Sequence, residues 1–445
     1  MIRPARLGIF NCIVLLFLII GQKSIQAQEV MTLEEAISIG LENNYQVQLS
    51  RNLSEIADNN RTLGNAGFLP TLTATATSTE RVEDSDFIAG GESRSTSGAR
   101  NSNRNAALNV NWTLFDGFRM FRTYDRLGVL QEVVDEELRL EMELLVASVT
   151  LGYYNIIRIN EQLKILENNI DVTEVRIEIE ETKVDLGSGS EYDLLQARSD
   201  LNADRAAYLR ENNSLTEAKI TLNRLLSRSP NTEFDVTEDI FIDRNLSESE
   251  LYQKIMTENT QLAIARMEKS ISNLEIQEIR SERFPEISLT SGYSFNRSEN
   301  DGGFIRFNES TGFSIGLTAR VNLFDGFNLN RRVDNAIIQS KNAEIRYEDQ
   351  KLRLEADFFT LYRAYLNSIE LVDLEERNLE NAELTVDIAL ERFRLGSISS
   401  LQLREAQRTF LQAENRLINA KYEAKVAETE LLQLSGEISR ILRIE

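Results

Sequence analysis

The sequence predicts a mainly α-helical protein that is built twice from the same elements and contributes four β-strands to a membrane sheet. Three observations support this fold class: motifs of the first half return in the second, two 69-residue segments lack proline and carry coiled-coil spacing, and four runs alternate apolar with polar residues. A single helix of 69 residues would be about 100 Å long, which exceeds the core of any compact domain. We therefore expect one elongated, duplicated unit in the 445-residue chain.

The composition restricts the chemistry that this chain can perform. It contains no histidine, one cysteine and four prolines, and its formal net charge is −22. Without histidine, and with Cys12 in a segment that we expect to be removed, Ser-His-Asp triads, Cys/His zinc sites, haem ligation and disulfides are excluded. We predict no catalytic, cofactor or metal site. The acidic balance also argues against a nucleic-acid partner, which requires a cationic surface.

The N-terminal residues 1–27 are predicted to be a secretory signal peptide. Arg3 and Arg6 precede an apolar stretch from Leu7 to Ile20, and small residues follow before Gln28. An uncleaved membrane anchor is the alternative interpretation, but the apolar stretch is shorter than the roughly 20 residues that span a bilayer.

The two halves of the chain repeat each other. The motif Leu114, Phe115, Asp116, Gly117 and Phe118 returns unchanged 209 residues later as Leu323, Phe324, Asp325, Gly326 and Phe327. Pro70 has its counterpart in Pro285, 215 residues later. The second copy therefore has six fewer residues between the proline and the motif. We therefore predict a first repeat over 28–230, a linker over 231–246 and a second repeat over 247–445. The glycine of each motif permits a sharp corner between a strand and a helix.

Each repeat has the same predicted order of elements. A helical stretch opens each repeat, Thr32–Gly64 in the first and Ser247–Glu282 in the second. It ends before Pro70 or Pro285, because proline and the residue before it disfavour helix. Two strand-like runs follow, and then a long helical segment (Phe118–Leu186, then Phe327–Leu395). A second, shorter helix completes the repeat.

The long segments carry a heptad stripe and end in glycine turns. Apolar residues of the first copy step alternately by four and three positions, which keeps one stripe on a partner helix: Leu145, Val149, Gly152, Ile156, Ile159, Leu163, Leu166 and Ile170. In the second copy Ser368 and Glu375 interrupt this stripe. Gly187 and Gly396 occupy the position where a helix end favours a left-handed residue. Ser190 with Asp193, and Ser399 with Gln402, have capping-box spacing, so each half should end in a helical hairpin.

The strand-like runs alternate apolar and polar residues over about 10 positions, as transmembrane β-strands do. An ordinary half-buried hairpin of a soluble domain shows the same pattern. Four strands cannot close a barrel, and an open edge cannot face lipid, so membrane strands would have to join those of other copies. Two chains would give 8 strands and three would give 12, and the sequence pattern does not choose between them. The polar stretches 82–105 and 296–311 are predicted to be external loops.

Together, the predicted signal peptide, the duplicated Leu-Phe-Asp-Gly motif and the Leu-Gly-Ser turns resemble the TolC-type outer-membrane efflux proteins. This resemblance implies a homotrimer with a 12-stranded β-barrel among the outer-membrane lipids of a Gram-negative bacterium and a long α-helical barrel across the periplasm. It also implies a periplasmic adaptor protein and an inner-membrane transporter, either proton-driven or of the ABC type, docked at the helical tips. Drugs, metals or proteins would then leave the cell through a passive duct.

The resemblance further implies an acidic gate just after each tip turn. The matching positions are Asp193 and Gln196 in the first copy, and Gln402 and Glu405 in the second. Asp193 and Gln402 could instead be capping residues, and Glu405 a solvated helix residue. The tip residues could contact the adaptor or simply stop the helices: Leu186, Gly187, Ser190, Leu395, Gly396 and Ser399.

Two other functions are compatible with parts of the pattern. A secreted or periplasmic coiled-coil protein with a structural or adhesive role would share the long helices, but it would need no detergent for extraction. A carboxylate-based enzyme such as a glycosidase would need two acidic groups in a concave site. The acidic residues of this chain are scattered along solvated helices, so we expect a protein that is not an enzyme.

Overall fold

The computed structural model describes residues 29–236, 239–302 and 305–438, so the predicted signal peptide at 1–27 lies outside the described residues. The helices in these ranges are α1 (Leu33–Asn43), α2 (Tyr45–Asn60), α3 (Arg119–Asp185), α4 (Glu191–Leu225), α5 (Glu248–Glu258), α6 (Thr260–Ser281), α7 (Asn328–Arg394) and α8 (Ser400–Leu434). The strands are β1 (Glu29–Val30), β2 (Thr71–Ala89), β3 (Glu92–Phe115), β4 (Phe234–Asp235), β5 (Glu286–Asn300) and β6 (Phe307–Arg320).

The duplication extends to the length of the helices. The long helices α3 and α7 each have 67 residues, and the returning helices α4 and α8 each have 35. The two arms of each repeat pack against each other, α3 on α4 and α7 on α8, as the heptad stripe predicts. Val149, Ile156 and Ile159 of the stripe are buried, and Glu375 remains buried in the second copy because Arg416 Nε lies 3.0 Å from its carboxylate.

The opening helical stretch of each repeat is two helices, not the single one predicted. Asn44 and Asn259 have extended backbone conformations, and each side-chain oxygen accepts hydrogen bonds from the first turn of the next helix. Their amide nitrogens donate to the last carbonyl groups of α4 and α8, Asn44 to Leu225 and Asn259 to Leu434, both at 2.9 Å. Each asparagine therefore ends one helix, starts another and ties both to the returning helix.

The main hydrophobic core lies midway along the long helices. There α1, α5 and the linker pack around α3, α7 and α8, and Ile37, Phe234, Leu251 and Phe358 are among the buried residues. β1 and β4 form a short parallel pair that joins the start of the described chain to the linker. Tyr153 on α3 donates its hydroxyl hydrogen to the carbonyl oxygen of Met31 at 2.8 Å, which fixes this pair on the long helix.

The remaining strands form one antiparallel sheet in the order β2-β3-β5-β6. They have 14 to 24 residues and are longer than the predicted 10. The predicted loop at 82–105 is wrong, because the β2–β3 hairpin continues to a turn at Gly90 and Gly91, both with positive φ. Most of 296–311 is also strand. Side-chain alternation fades in these parts, but the backbone ladder continues without it. At its other end β6 stops at Arg320, three residues before the motif that begins at Leu323.

The register of the sheet gathers the apolar side chains on one face. Leu108 lies opposite both Ala74 and Tyr293, and Leu289 lies opposite both Trp112 and Leu317. Adjacent partners in a ladder point to the same side, so one face is apolar and the other carries Thr, Ser and Asn. This apolar face is exposed in the isolated chain, where Leu317 is 66% exposed. β2 and β6 are the edges, and each has one open side within the described chain.

None of the helices in the described ranges combines the length and the apolar character that crossing a bilayer requires.

Candidate functional site

The helical hairpins end in two closely similar turns. Gly187 and Gly396 both have φ +71°, the left-handed conformation predicted for them. The amide groups of Ser188 and Ser397 donate to the carbonyl groups of Lys183 and Arg392 at 2.9 Å, which closes each helix end in a Schellman motif. Both glycines therefore act as helix stops. Leu186 and Leu395 beside them are more than three-quarters exposed.

The two turns start their next helices differently. Ser399 and Gln402 form the predicted capping box, with Ser399 N donating to Gln402 Oε1 at 2.9 Å. The capping box predicted for Ser190 and Asp193 is wrong, because Ser190 makes no side-chain cap. The amide group of Gly189 donates to Lys183 O at 2.8 Å, and a Cβ on residue 189 would lie 2.7 Å from both Lys183 Cβ and Val184 N. Only glycine fits this tight turn. The backbone of Ser190 then has a different conformation from that of Ser399.

The predicted gate residues follow these turns on α4 and α8. Asp193 is half-buried and is not held in a capping box. Gln196 is exposed and donates to Asp200 Oδ1 at 3.2 Å. Gln402 is engaged by its cap, and Glu405 is exposed and lies 2.9 Å from Arg408 Nη2. Asp193 and Glu405 are thus the two carboxylates of the set.

A buried charge network that sequence reasoning missed joins Arg404, the neighbour of Glu405, to Asp200 and Asp204, which lie further along α4 than Asp193 and Gln196. Arg404 of α8 makes two hydrogen bonds to the carboxylate of Asp204 on α4, at 3.0 and 3.1 Å. Thr173 of α3 donates to the same carboxylate at 3.0 Å. Arg176 of α3 is only 1% exposed and reaches Asp200 at 2.5 Å. The network therefore joins the first hairpin to the second through Arg404.

The position of this network explains why the pattern of the sequence did not reveal it. Asp200 and Asp204 have the four-residue spacing of one helix face, which is common on solvated helices. Arg404 belongs to the other repeat, 200 residues away from Asp204. A paired guanidinium and carboxylate are retained in a protein interior only when both are hydrogen-bonded, as they are here.

The Asp-Gly-Phe corners have the same geometry in both repeats. Asp116 accepts a hydrogen bond from Met120 N at 3.0 Å, and Asp325 accepts one from Leu329 N at 2.7 Å, so each aspartate caps its long helix. The glycine and the phenylalanine that follow both have positive φ. The rings of Phe115 and Phe118, and of Phe324 and Phe327, pack edge to face at 5.3 and 5.4 Å. Leu114 and Leu323 lead into these corners and are exposed.

Comparisons with known proteins agree with this architecture. The sequence profile of the family described as "Outer membrane efflux protein" matches residues 36–228 and 251–437, one block in each repeat. The chain is 23% identical over 305 residues to outer membrane protein TolC of Vibrio cholerae, covering 66% of this chain and 68% of that protein. It is 24% identical over 303 residues to the cation efflux system protein CusC of Escherichia coli K12, covering 66% of this chain and 64% of CusC.

The same fold occurs among solved structures. The outer-membrane channel OprN superimposes with a TM-score of 0.75 at 19% identity, and the match covers 91% of this chain and 90% of OprN. The predicted fold class is therefore confirmed. Because the family profile matches most of the chain, in both of its repeats, the chain belongs to the outer membrane efflux protein family.

Proposed function

We propose that three copies of this chain form a passive export duct that a periplasmic adaptor joins to an inner-membrane transporter. As a member of the outer membrane efflux family, the protein resides in the outer membrane of a Gram-negative bacterium and serves export. In this proposal the repeats 28–230 and 247–445, joined by the linker 231–246, follow a signal peptide at 1–27. The chain performs no catalysis, and its task is to enclose a path.

The open sheet edges carry this proposal. Within the chain β3 of the first repeat pairs with β5 of the second, and Leu108 lies opposite Tyr293. The equivalent positions in the other repeat are Leu317 on β6, 209 residues after Leu108, and Ser78 on β2, 215 residues before Tyr293. If copies repeat the internal pairing, Leu317 lies opposite Ser78 of the partner subunit. This register keeps the apolar face continuous across the seam and leaves no open edge to lipid.

The helices support the same arrangement. Inside the chain α6 packs between α3 and α7, and Thr260 of α6 donates to Glu143 of α3 at 3.0 Å. The equivalent positions in the other repeat are Tyr45 on α2, 215 residues before Thr260, and Leu352 on α7, 209 residues after Glu143. Both are apolar and exposed in the isolated chain, 70% for Tyr45 and 65% for Leu352. Covering them with a neighbouring copy would remove this apolar surface from water.

The adaptor is proposed to dock at the helical tips. Leu186, Leu395 and Leu401 are all more than three-quarters exposed, and they cluster in sequence around the two turns. Exposed leucines at the end of an otherwise charged helical structure are typical of a protein interface. The turn residues Gly187, Ser190, Gly396 and Ser399 would shape this surface.

The gate is proposed to lie just inside these tips. Asp193 and Glu405, repeated around the duct, would form an acidic constriction, with Gln196 and Gln402 as polar neighbours. Arg404 links α8 to α4 through Asp204, so the network would limit how far the two hairpins can separate. Adaptor binding would open the entrance by moving the hairpins apart.

Single-channel recordings of the purified oligomer in a planar bilayer test the duct and its gate together. We expect the wild-type protein to conduct ions, and the Asp193→Ala/Glu405→Ala variant to show a higher open probability, because alanine removes the side chains proposed to narrow the entrance. Glu423→Ala, an exposed carboxylate further along α8, is the matched control and should behave as wild type. Absence of any conductance would contradict the duct, and unchanged gating in the double variant would contradict the gate.

A secreted coiled-coil protein without a pore is the competing candidate. It would share the long helices but would have no use for the exposed apolar face of the sheet. Extraction separates the two functions, because the duct should remain in outer membranes through salt washes and require detergent for release.

A further inference from the structure

A cavity between α3, α7 and α8 lies several turns away from the tips and outside the charge network. Its volume is about 170 Å³, and it is partly open to solvent, with Glu383 and Asp387 exposed. Its walls combine apolar and acidic side chains: Ile165, Asn168, Asn169, Val172, Glu383, Val386, Asp387, Gln407, Phe410, Leu411 and Glu414. The proposed duct, gate and adaptor surface make no use of this cavity.

Three carboxylates line the cavity, and none of its described lining residues is lysine or arginine. Glu383 and Asp387 come from α7 and Glu414 comes from α8, while α3 contributes only amide and apolar groups. Burial and the neighbouring Glu383 raise the pKa of Glu414 to about 7. Negative charge therefore accumulates here without a cation from the described chain to balance it.

The cavity also contains polar groups without partners. Gln407 is only 3% exposed, and neither its side-chain nitrogen nor its oxygen has a hydrogen-bond partner among the described residues. Asn169 is also buried, and its side-chain nitrogen has no partner there. Buried amides are normally satisfied, because an unpaired group loses its hydrogen bonds to water without compensation. Gln407 in particular offers an acceptor to a ligand that carries N–H groups.

We infer that this cavity is a binding site for a small organic ammonium ion with an apolar body. The ammonium group would donate its three hydrogens to the carboxylates of Glu414 and Glu383 and to Gln407, with exposed Asp387 at the rim, and the apolar body would contact Phe410 and the aliphatic walls. A metal ion is a poorer occupant, because no group of three or more metal-binding side chains in the described part of the chain is close enough to hold one. Three side-chain amides and three carboxylates around an apolar pocket match an amine instead.

Isothermal titration calorimetry on the full chain in detergent, at about pH 8, tests this site with 2-phenylethylamine as the probe. We expect saturable binding of the amine, while 2-phenylethanol, which has the same apolar body without the charge, should bind at least about tenfold more weakly. Glu414 attracts an ammonium ion only when it is ionised, so binding should weaken as the pH falls through its pKa of about 7. Glu383 and Asp387 are the other titratable groups that face it.

Variants separate the site from a general effect of charge. Glu383→Gln/Glu414→Gln should weaken amine binding about tenfold or more, whereas Glu423→Gln, exposed on the same helix, should leave it unchanged. Gln407→Met should weaken binding and also raise the thermal midpoint, because it removes the unpaired amide. Equal binding of amine and alcohol, equal binding by the wild type and the double variant, or no binding of the amine would each overturn the inference.

Discussion

Replacing Gly117 with alanine is expected to destabilise the protein by about 3 kcal/mol, measured by thermal unfolding of the detergent-solubilised chain. Gly117 has φ +72°, which alone disfavours a side chain. A Cβ at this position would also lie 2.3 Å from the carbonyl oxygen of Ser281 and 2.8 Å from Cβ of Phe284. Both atoms belong to the end of α6 and the approach to β5, so the substitution forces the corner of the first repeat away from the second.

The matched control is Gly326→Ala in the second repeat. Gly326 has nearly the same φ, +68°, but a Cβ there meets nothing closer than 3.8 Å. This substitution therefore carries the backbone strain alone and should cost about 1 kcal/mol. Equal losses at the two positions would show that the close contact to Ser281 has no energetic weight.

Replacing Arg404 with methionine is expected to destabilise the protein by about 3 kcal/mol, because it breaks the link between α4 and α8, and to increase the open probability of the reconstituted oligomer. Methionine keeps the apolar stem of the side chain but removes the two hydrogen bonds to Asp204. The Asp204 side chain is 9% exposed, so its charge would stay buried with Thr173 as a remaining partner. Thermal unfolding and single-channel recording measure the two effects.

Two further variants show whether the effect of Arg404→Met comes from the unpaired buried charge. Arg408→Met, one turn along α8, breaks only the exposed pair with Glu405 and should change stability by less than about 0.5 kcal/mol. Arg404→Met/Asp204→Leu removes both charges and should recover much of the lost stability, because no unpaired ion stays buried. If Arg404→Met is as stable as Arg408→Met, the network does not hold the hairpins together.

The sequence was most informative where a local pattern decides the structure. The heptad stripe predicted both long helices, and the glycine after each one predicted the left-handed turn that ends it. The alternation of apolar and polar residues, found for example at Leu108 and Asn109, predicted strands with two different faces, because side-chain direction in a strand has a period of two. The duplicated motif then predicted that the second half would repeat the first, and the helices have the same lengths in both copies.

Other features depend on partners that are distant in sequence. Asn44 breaks a helix because its amide group reaches Leu225, and no local signal marks that carbonyl. Arg404 was not predicted because its partner lies on another hairpin. The spacing of Ser190 and Asp193 fits a capping box, but the tight return at Gly189 prevents it. The extent of the β2–β3 hairpin was missed because backbone pairing continues through residues whose side chains have no alternation.

In the proposed duct, separate copies repeat the strand pairing found inside the chain, and disulfide crosslinking across the seam between copies tests this pairing. In a Cys12→Ser background, Leu317→Cys with Ser78→Cys should form disulfides between copies and give a covalent three-copy species without reductant. Leu317→Cys with Thr77→Cys points the second thiol to the opposite face and should not crosslink. Efficient crosslinking of the control pair, or none at 317 and 78, would contradict the proposed assembly.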